Sequence, residues 1–477
     1  MSKIFIFARF IRKQALDMHV KHLNILISSA MIALMSCFAS CSPDWNDELM
    51  PTTPSEENQE IPGSGDHEGG NSTDRGTNRD TRKVLLLYSA GFNSLSSYLK
   101  EDIEELSGGW LPSQRRADDL LLVYSHLPVS KGEYSVKTSP VLFRMYSRTD
   151  GTVIRDTLVR YEPGTISSSA GQLNEVLSYV KDNFPAKSYG LLVSSHATGY
   201  LPNGFYRMPD KYTFSEGMMH SHGSRRHRMS VPVPYVEPEH DPGMPEVKSI
   251  GEDVADGMSH EMDIRDFAEA IPMKLEYILF DACLMGGVEV AYELAGKCDK
   301  IGFSQAEVLA EGFNYSTLSS HLLGNRQESD PQSVCEDYFS QYEIQTGVMQ
   351  SATISMVDCG KMDNLASLCK EMFEKYSDKL SSMKPGNVQR FYRSSHHWFY
   401  DLESILANAG ISESELESLH KALDECIIYK GATPKFMNEF TISTFCGLSM
   451  YLPSNGHSEL DKYYKTLKWN KATGLVK

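Results

Sequence analysis

Two stretches decide the fold of this chain: Tyr189-Gly-Leu-Leu-Val-Ser-Ser-His-Ala-Thr-Gly199 and Tyr277-Ile-Leu-Phe-Asp-Ala-Cys-Leu-Met-Gly286. Each is a short apolar run that ends at a reactive side chain, His196 in the first and Cys283 in the second. Apolar runs of this length, bounded by polar residues or glycine, are typical of buried strands in a parallel sheet. The ligand crevice of such a sheet lies beyond the carboxyl ends of its strands, so we expect the two side chains to meet there. A proton carrier beside a thiol is the minimum apparatus of a cysteine hydrolase.

The sequence around these stretches alternates between strand and helix patterns. Strands are predicted at 84–88, 120–124, 141–146, 300–303, 353–357 and 448–452, and helices at 93–106, 172–183, 263–270 and 286–294. This rhythm predicts an α/β core over residues 81–330, with a mostly parallel sheet and helices on both of its faces. Helical patterns dominate the C-terminal portion, 331–477, after a cap-and-proline start at Asp330-Pro331.

Composition limits what such a core can bind. The chain has 477 residues, 41% of them hydrophobic and 23% charged, which is typical of a globular protein with a large core. Its formal charge of −17 and pI near 5.4 argue against nucleic acid or anionic lipid as a partner and are compatible with basic substrates. The cysteines form no CxxC pair, and this spacing argues against a structural zinc site.

The N-terminus has the organisation of a secretory signal over residues 1–41. Basic residues precede a mostly apolar stretch, 23–38, and small residues lead to Cys41. Phe38-Ala39-Ser40-Cys41 resembles a bacterial lipobox, whose cysteine becomes the lipidated first residue of the mature protein. Cys37 is a second candidate for lipidation, and cleavage without lipid attachment is the alternative.

A tether is predicted over residues 42–80. Pro, Ser, Thr, Glu, Asn, Asp and Gly dominate this segment, which cannot bury enough apolar surface to offset its ordering entropy. The sequence therefore predicts a lipid-anchored lipoprotein of the cell envelope, held at the outer membrane or the surface of a Gram-negative bacterium.

A long insertion, residues 203–262, separates the two reactive strands. It contains the basic sequence Gly223-Ser-Arg-Arg-His-Arg228 and then proline-rich segments. A loop of this length without secondary structure is usually functional or disordered, and exposed basic residues in it are natural sites for cleavage. The histidines of the insertion match no standard metal-ligand spacing and predict no metal site: His220, His222, His227, His240 and His260.

The motifs of the chain resemble those of the clostripain family of cysteine peptidases, in the same clan as caspases, legumain and gingipains. The resemblance covers about residues 82–455. It is carried by Ser194-Ser195-His196-Ala197, Asp281-Ala-Cys-Leu-Met285, 288–294, the two segments 304–307 and 312–315, and 447–453. It implies a caspase-like three-layer α/β/α sandwich.

The same resemblance implies a mechanism. Cys283 is the expected nucleophile and His196 its proton carrier, and the backbone N–H groups of Ala197 and Cys283 are the expected oxyanion donors. Ala197 stands where the family often has glycine, which is conformationally more permissive, but alanine still supplies a backbone N–H.

Specificity and maturation are also implied. Asp281 lies two residues before the nucleophile, so strand alternation points it the same way as Cys283. The resemblance places Asp281 and Glu311 in a pocket that holds the Arg or Lys preceding the cut. Family members are often matured by internal cleavage after a basic residue, which makes Arg225, Arg226 and Arg228 candidate self-cleavage sites.

Other functions remain open at this point. One is a peptidase fold kept as an inert binding lipoprotein, and another is a related cysteine hydrolase or transpeptidase with a different specificity. No cofactor is expected. Some members of the family respond to calcium, but no stretch of this chain has the spacing of a calcium loop.

Overall fold

The computed structural model describes residues 81–114, 118–205, 233–235, 244–247, 253–324, 327–394 and 397–477. All of them belong to one compact unit. Several predicted features lie outside the described residues: the signal segment 1–41, the tether 42–80, lipidation at Cys41 or Cys37, and the cleavage sites Arg225, Arg226 and Arg228.

Among the described residues, the strands form one large sheet and three small ones. In chain order they are β1 (Thr81–Ala90), β2 (Asp119–His126), β3 (Val141–Ser147), β4 (Val153–Arg160), β5 (Ala186–Ser194), β6 (Val233–Pro234), β7 (Asp253–Ala255), β8 (Met258–His260), β9 (Leu275–Asp281), β10 (Cys298–Phe303), β11 (Thr353–Asp358), β12 (Tyr400–Asp401), β13 (Ile427–Ala432), β14 (Lys435–Phe436), β15 (Phe440–Thr441) and β16 (Ser449–Met450).

The helices become more frequent toward the C-terminus. In chain order they are α1 (Ser96–Gly108), α2 (Ala170–Asn183), α3 (Ile264–Ala270), α4 (Val288–Leu294), α5 (Tyr315–Leu322), α6 (Pro331–Glu343), α7 (Met362–Lys375), α8 (Ser377–Ser382), α9 (Leu402–Ala409), α10 (Glu413–Cys426), α11 (Ser458–Tyr464) and α12 (Lys468–Thr473). No helix in these ranges is long and apolar enough to cross a membrane.

The large sheet has nine strands in the order β13-β11-β10-β9-β5-β1-β2-β3-β4. Its five central strands, from β10 to β2, run parallel, and the two strands at each edge are antiparallel. The central strands are apolar runs because helices cover both of their faces. Helices α1, α5 and α6 pack on one another on one face, and α2, α3 and α4 on the other. The predicted α/β sandwich with a mostly parallel sheet and a helix-rich C-terminal portion is confirmed.

Among the strands of the large sheet that the structure describes, the sequence misses two, one at each edge. β4 mixes apolar with charged residues, and every one of its residues is exposed or half-exposed, so it has no buried apolar run to mark it. β13 follows α10 directly and is also half-exposed. The stretch 448–452, predicted as one strand, contributes only the short β16, which pairs with β12 outside the large sheet.

The insertion 203–262 is not structureless where the structure describes it. β6, β8 and β7 form a small antiparallel sheet, whose strands are too short to give a recognisable period in the sequence. The carboxylate of Asp253 accepts the backbone N–H of Ser168 at 2.9 Å, and the Ser168 hydroxyl donates to the His260 carbonyl at 2.6 Å. These bonds dock the small sheet on the loop that precedes α2.

Candidate active site

His196 and Cys283 lie at the carboxyl ends of neighbouring strands. β5 and β9 are adjacent and parallel, and their register pairs Ser194 with Asp281. Each reactive side chain follows that pair by two residues. Because neighbouring strands lie about 4.8 Å apart, the register brings the imidazole and the thiol to the same crevice. Both side chains are buried, His196 to 6% and Cys283 to 0% exposure.

The turns that follow the two residues are in contact. Leu284, directly after the thiol, has a φ of 61°, an unusual value for a side chain of this size. Two backbone bonds hold this turn, from Leu284 N–H to the Ala306 carbonyl at 2.9 Å and from Gly286 N–H to the Ser304 carbonyl at 2.7 Å. Gly199, in the turn after the histidine, has a φ of 63°, and a Cβ there would lie 2.5 Å from the Leu284 carbonyl oxygen. Only glycine lets the two turns approach this closely.

The thiol receives a backbone donor. The N–H of Val308 points at Cys283 Sγ over 3.1 Å, and the Val308 carbonyl oxygen lies 3.7 Å from the same sulfur. Val308 thus offers the sulfur both a backbone donor and a backbone acceptor. The segment that carries Val308 is itself fixed, because Ala306 N–H donates to the Thr353 hydroxyl at 2.9 Å.

The imidazole has a hydroxyl beside it. His196 Nε2 lies 3.1 Å from the Ser94 hydroxyl oxygen, on the loop between β1 and α1. Ala197, the expected oxyanion donor next in the chain, is partly exposed and lies at the mouth of a cavity beside the histidine.

The two predicted pocket carboxylates lie in different surroundings. Asp281 is fully buried and accepts the Tyr315 hydroxyl at 2.7 Å and the Ser194 hydroxyl at 3.2 Å. Glu311 is exposed. Burial raises the pKa of Tyr342 well above its usual value, and the charges of Glu311 and Asp281 raise it further. The structure therefore buries one of the two carboxylates and exposes the other.

Glu307 is a further buried carboxylate next to the nucleophile. It directly precedes Val308, and its carboxylate lies 3.2 Å from the Arg393 guanidinium. Burial raises the pKa of Glu307 to about 7, although Arg393 opposes the rise. The carboxylate of Glu439 adds to it.

Sequence reasoning identifies none of these supporting contacts. Tyr315 and Glu307 lie inside motif segments, but their partners are known only from the fold. Ser94 belongs to no motif, and Val308 acts through its backbone, which leaves no mark in the sequence.

Metal ligands are not grouped in the described ranges, where no three His, Cys, Asp or Glu side chains are placed to hold an ion. Four of the insertion histidines, at 220, 222, 227 and 240, lie outside those ranges. Thiol and imidazole chemistry itself needs no cofactor.

The comparison with known families decides the identity. Residues 237–474, which include Cys283 and all of the C-terminal portion up to α12, match the clostripain family. The chain belongs to the clostripain family of cysteine peptidases. It is therefore a cysteine endopeptidase, and peptides are its substrates. His196 lies upstream of the matched range, so its place beside Cys283 rests on the sheet register alone.

Solved structures of clostripain-family, or C11, proteases share the fold. An inactive zymogen C11 protease from Parabacteroides distasonis is 25% identical, with a TM-score of 0.63 over 83% of this chain and 98% of its own. A secreted C11 cysteine protease from Bacteroides thetaiotaomicron, iotapain, is 22% identical, with a TM-score of 0.62 over 83% and 99%. A secreted C11 cysteine protease from the same organism, in complex with an irreversible peptide inhibitor, is 22% identical. Its structure has a TM-score of 0.61 over 82% of this chain and 98% of its own. No curated protein matches the chain.

Proposed function

We propose that His196 and Cys283 are the catalytic dyad of this clostripain-family peptidase. The register of β5 and β9 carries the proposal, because it sets both residues two positions past the same pair at the carboxyl edge of the sheet. The Val308 N–H at 3.1 Å from the sulfur supports the role of Cys283 as the nucleophile.

The dyad cleaves a peptide in two steps. The Cys283 thiolate attacks the scissile carbonyl carbon, forming a C–S bond, while the N–H groups of Ala197 and Cys283 hold the oxyanion. The C–N bond then breaks as the His196 imidazolium gives its proton to the departing amine. His196 next takes a proton from water, whose oxygen attacks the thioester, and the carboxylic acid leaves as the thiolate is restored.

Specificity for Arg or Lys before the cut follows from the two carboxylates. Asp281 at the base and Glu311 at the surface offer charge-assisted hydrogen bonds to a basic side chain. The Tyr315 and Ser194 hydroxyls hold the Asp281 carboxylate in place.

Maturation and location complete the proposal. Cleavage after Arg225, Arg226 or Arg228 activates the enzyme, in keeping with the similarity to a protein described as an inactive zymogen. The signal segment exports the chain, and lipid on Cys41 anchors it, with Cys37 as the alternative position.

The deciding experiment compares the full chain with Cys283→Ala, both expressed in a Gram-negative host. We expect the wild type to cut a peptide library after Arg and Lys and to be cut itself within 223–228, and Cys283→Ala to do neither. Equal self-cleavage by Cys283→Ala, or preserved library cleavage, would falsify the dyad. Metabolic labelling with an alkyne fatty acid tests the anchor, since Cys41→Ala should lose the label that the wild type carries.

A further inference from the structure

A cavity of about 90 Å³ opens beside His196. Its walls are mostly apolar and include the buried side chains of Leu173 of α2, Phe267 of α3 and Phe280 of β9. Residues 197–199, which directly follow the histidine, are partly exposed and form its mouth on the side of His196. The cavity thus adjoins the histidine of the proposed dyad.

The cavity and the Asp281 carboxylate lie on opposite faces of the sheet. Phe280 and Ala282 line the cavity, whereas Asp281, which lies between them, contacts Tyr315 of α5. Successive residues of a strand point to opposite faces, so the two sites share one strand end but not one side.

We propose that this cavity binds the side chain of the residue that follows the scissile bond, and that it selects an aliphatic residue of the size of Leu or Met. The proposal rests on the proposed dyad. The departing amine must reach the His196 imidazole to receive its proton, so the residue that carries this amine lies beside the cavity mouth. Neighbouring side chains of an extended peptide point in opposite directions. A basic side chain directed to the Asp281 face therefore directs the next side chain to the cavity face.

The size and chemistry of the cavity fit such a residue. A single water needs about 10–15 Å³ of cavity volume, so this cavity admits several heavy atoms. Apolar walls favour an aliphatic side chain through burial of its surface. Glu261 is also among the lining residues, and a carboxylate near the cavity disfavours an acidic residue at this position.

The test uses peptides with Arg before the cut and Leu, Met, Phe, Gly or Asp after it, with kcat/KM measured for each. Two variants accompany the full-length wild type. Leu173→Ala enlarges the cavity, and Leu177→Ala is its matched control, because Leu177 lies one turn further along α2, is equally buried and is not in the cavity wall. Each result is a ratio between two peptides on one enzyme, so a general loss of folded protein cancels.

For the wild type, we expect kcat/KM of the peptide with Leu after the cut to exceed that of the Gly and Asp peptides by about tenfold or more. This is the range of discrimination that one apolar subsite provides. Leu173→Ala should shift the Phe-to-Leu ratio toward Phe, and Leu177→Ala should leave it unchanged. Equal kcat/KM for all five peptides, or the same shift in both variants, would overturn the cavity proposal. An arginyl amide with a dye as leaving group separates the two hypotheses. If the dye is released while the five peptides do not differ, only the cavity proposal fails; if no dye is released, the proposed function itself fails.

Discussion

At the scale of single residues, the reactive centre depends on backbone atoms more than on side chains. Cys283 takes its donor from the Val308 main chain, and the left-handed turn at Leu284 is held by two main-chain bonds. Asp281 is the exception, since its carboxylate is fixed by the hydroxyls of Tyr315 and Ser194. Changes to Asp281 should therefore alter recognition while leaving the nucleophile in place.

Asp281→Asn should lower kcat/KM for Arg substrates by about 10- to 100-fold, the value of a hydrogen bond to a charged group. The amide keeps an acceptor for Tyr315 but has no negative charge for the guanidinium. Citrulline has nearly the shape of Arg without its charge. The same substitution should therefore lower kcat/KM for citrulline substrates much less. The measurement is the Arg-to-citrulline ratio of kcat/KM, with Asp299→Asn, an exposed carboxylate paired with Lys274, as the control. An unchanged ratio would contradict the pocket assignment.

At the scale of elements, the segment from Ser304 to Val308 acts as a template for the nucleophile turn. It accepts the backbone N–H groups of Leu284 and Gly286 and donates to the sulfur. Thr353 on β11 holds one end of this template, and the ion pair between Glu307 and Arg393 holds the other. The position of the thiol thus depends, through this template, on Thr353 and Arg393, which lie far from Cys283 in the sequence.

Substitution of Arg393 should lower the free energy of unfolding by an amount that depends on pH. The pKa of Glu307 is raised to about 7, so its carboxyl is mostly neutral at pH 6 and ionised at pH 8. Near pH 8 the ionised pair is favoured over the neutral acid by about 1–2 kcal/mol, the value of one pKa unit, and Arg393→Gln removes that advantage. We expect Arg393→Gln to lower the free energy of unfolding by this amount more at pH 8 than at pH 6, measured by urea unfolding.

Arg155→Gln is the matched control for this change, because it breaks an exposed Arg–Glu pair with Glu104. Its effect should be small at both pH values. The rate at which iodoacetamide alkylates Cys283 gives a second readout, and it should change in Arg393→Gln at pH 8 because the template shifts. The same loss of stability at pH 6 and pH 8 would show that Glu307 does not titrate between these pH values.

At the scale of the whole molecule, the C-terminal portion clamps the helix that follows the nucleophile. Glu289 in the first turn of α4 accepts the backbone N–H of Tyr451 at 2.9 Å and the Tyr464 hydroxyl at 2.6 Å. The Ser449 N–H donates to the Gly286 carbonyl at 2.8 Å, within the nucleophile turn. Residues far apart in the sequence thus share one buried polar cluster with the active site.

The burial of Glu289 should make stability depend on pH. Desolvation raises its pKa from 4.5 to about 7. The neutral Glu289 therefore makes its full contribution to the free energy of unfolding below about pH 4.5. This contribution falls by up to about 3 kcal/mol as the pH rises through 7. Glu289→Gln stays neutral, so its stability relative to the wild type should increase between pH 5 and pH 8.

Urea unfolding of both proteins across this range measures the difference, and Glu269→Gln, an exposed residue of α3, is the control. A constant difference between Glu289→Gln and the wild type from pH 5 to pH 8 would show that Glu289 does not titrate there.

Local patterns were enough to predict most central elements. The apolar runs of β1, β2, β5 and β9 are visible in the sequence because parallel strands are buried on both faces, and the Asp330 cap marks the start of α6. The edge strands β4 and β13 were missed because a half-exposed strand needs no continuous apolar run. The small sheet of the insertion was missed because its strands are only two or three residues long.

The sequence by itself determined the strand ends, the order of the motifs, the reactive residues His196 and Cys283, and an N-terminal segment with the features of a lipoprotein signal. These follow from local periodicity and from motifs a few residues long. The tertiary structure alone decided which atoms surround the thiol and the imidazole: the Val308 N–H, the Ser94 hydroxyl, the contact between the two turns, and the cavity on the opposite face of the sheet. The reason is physical, because backbone donors, close approaches and cavities arise where distant segments meet, and no residue type encodes them.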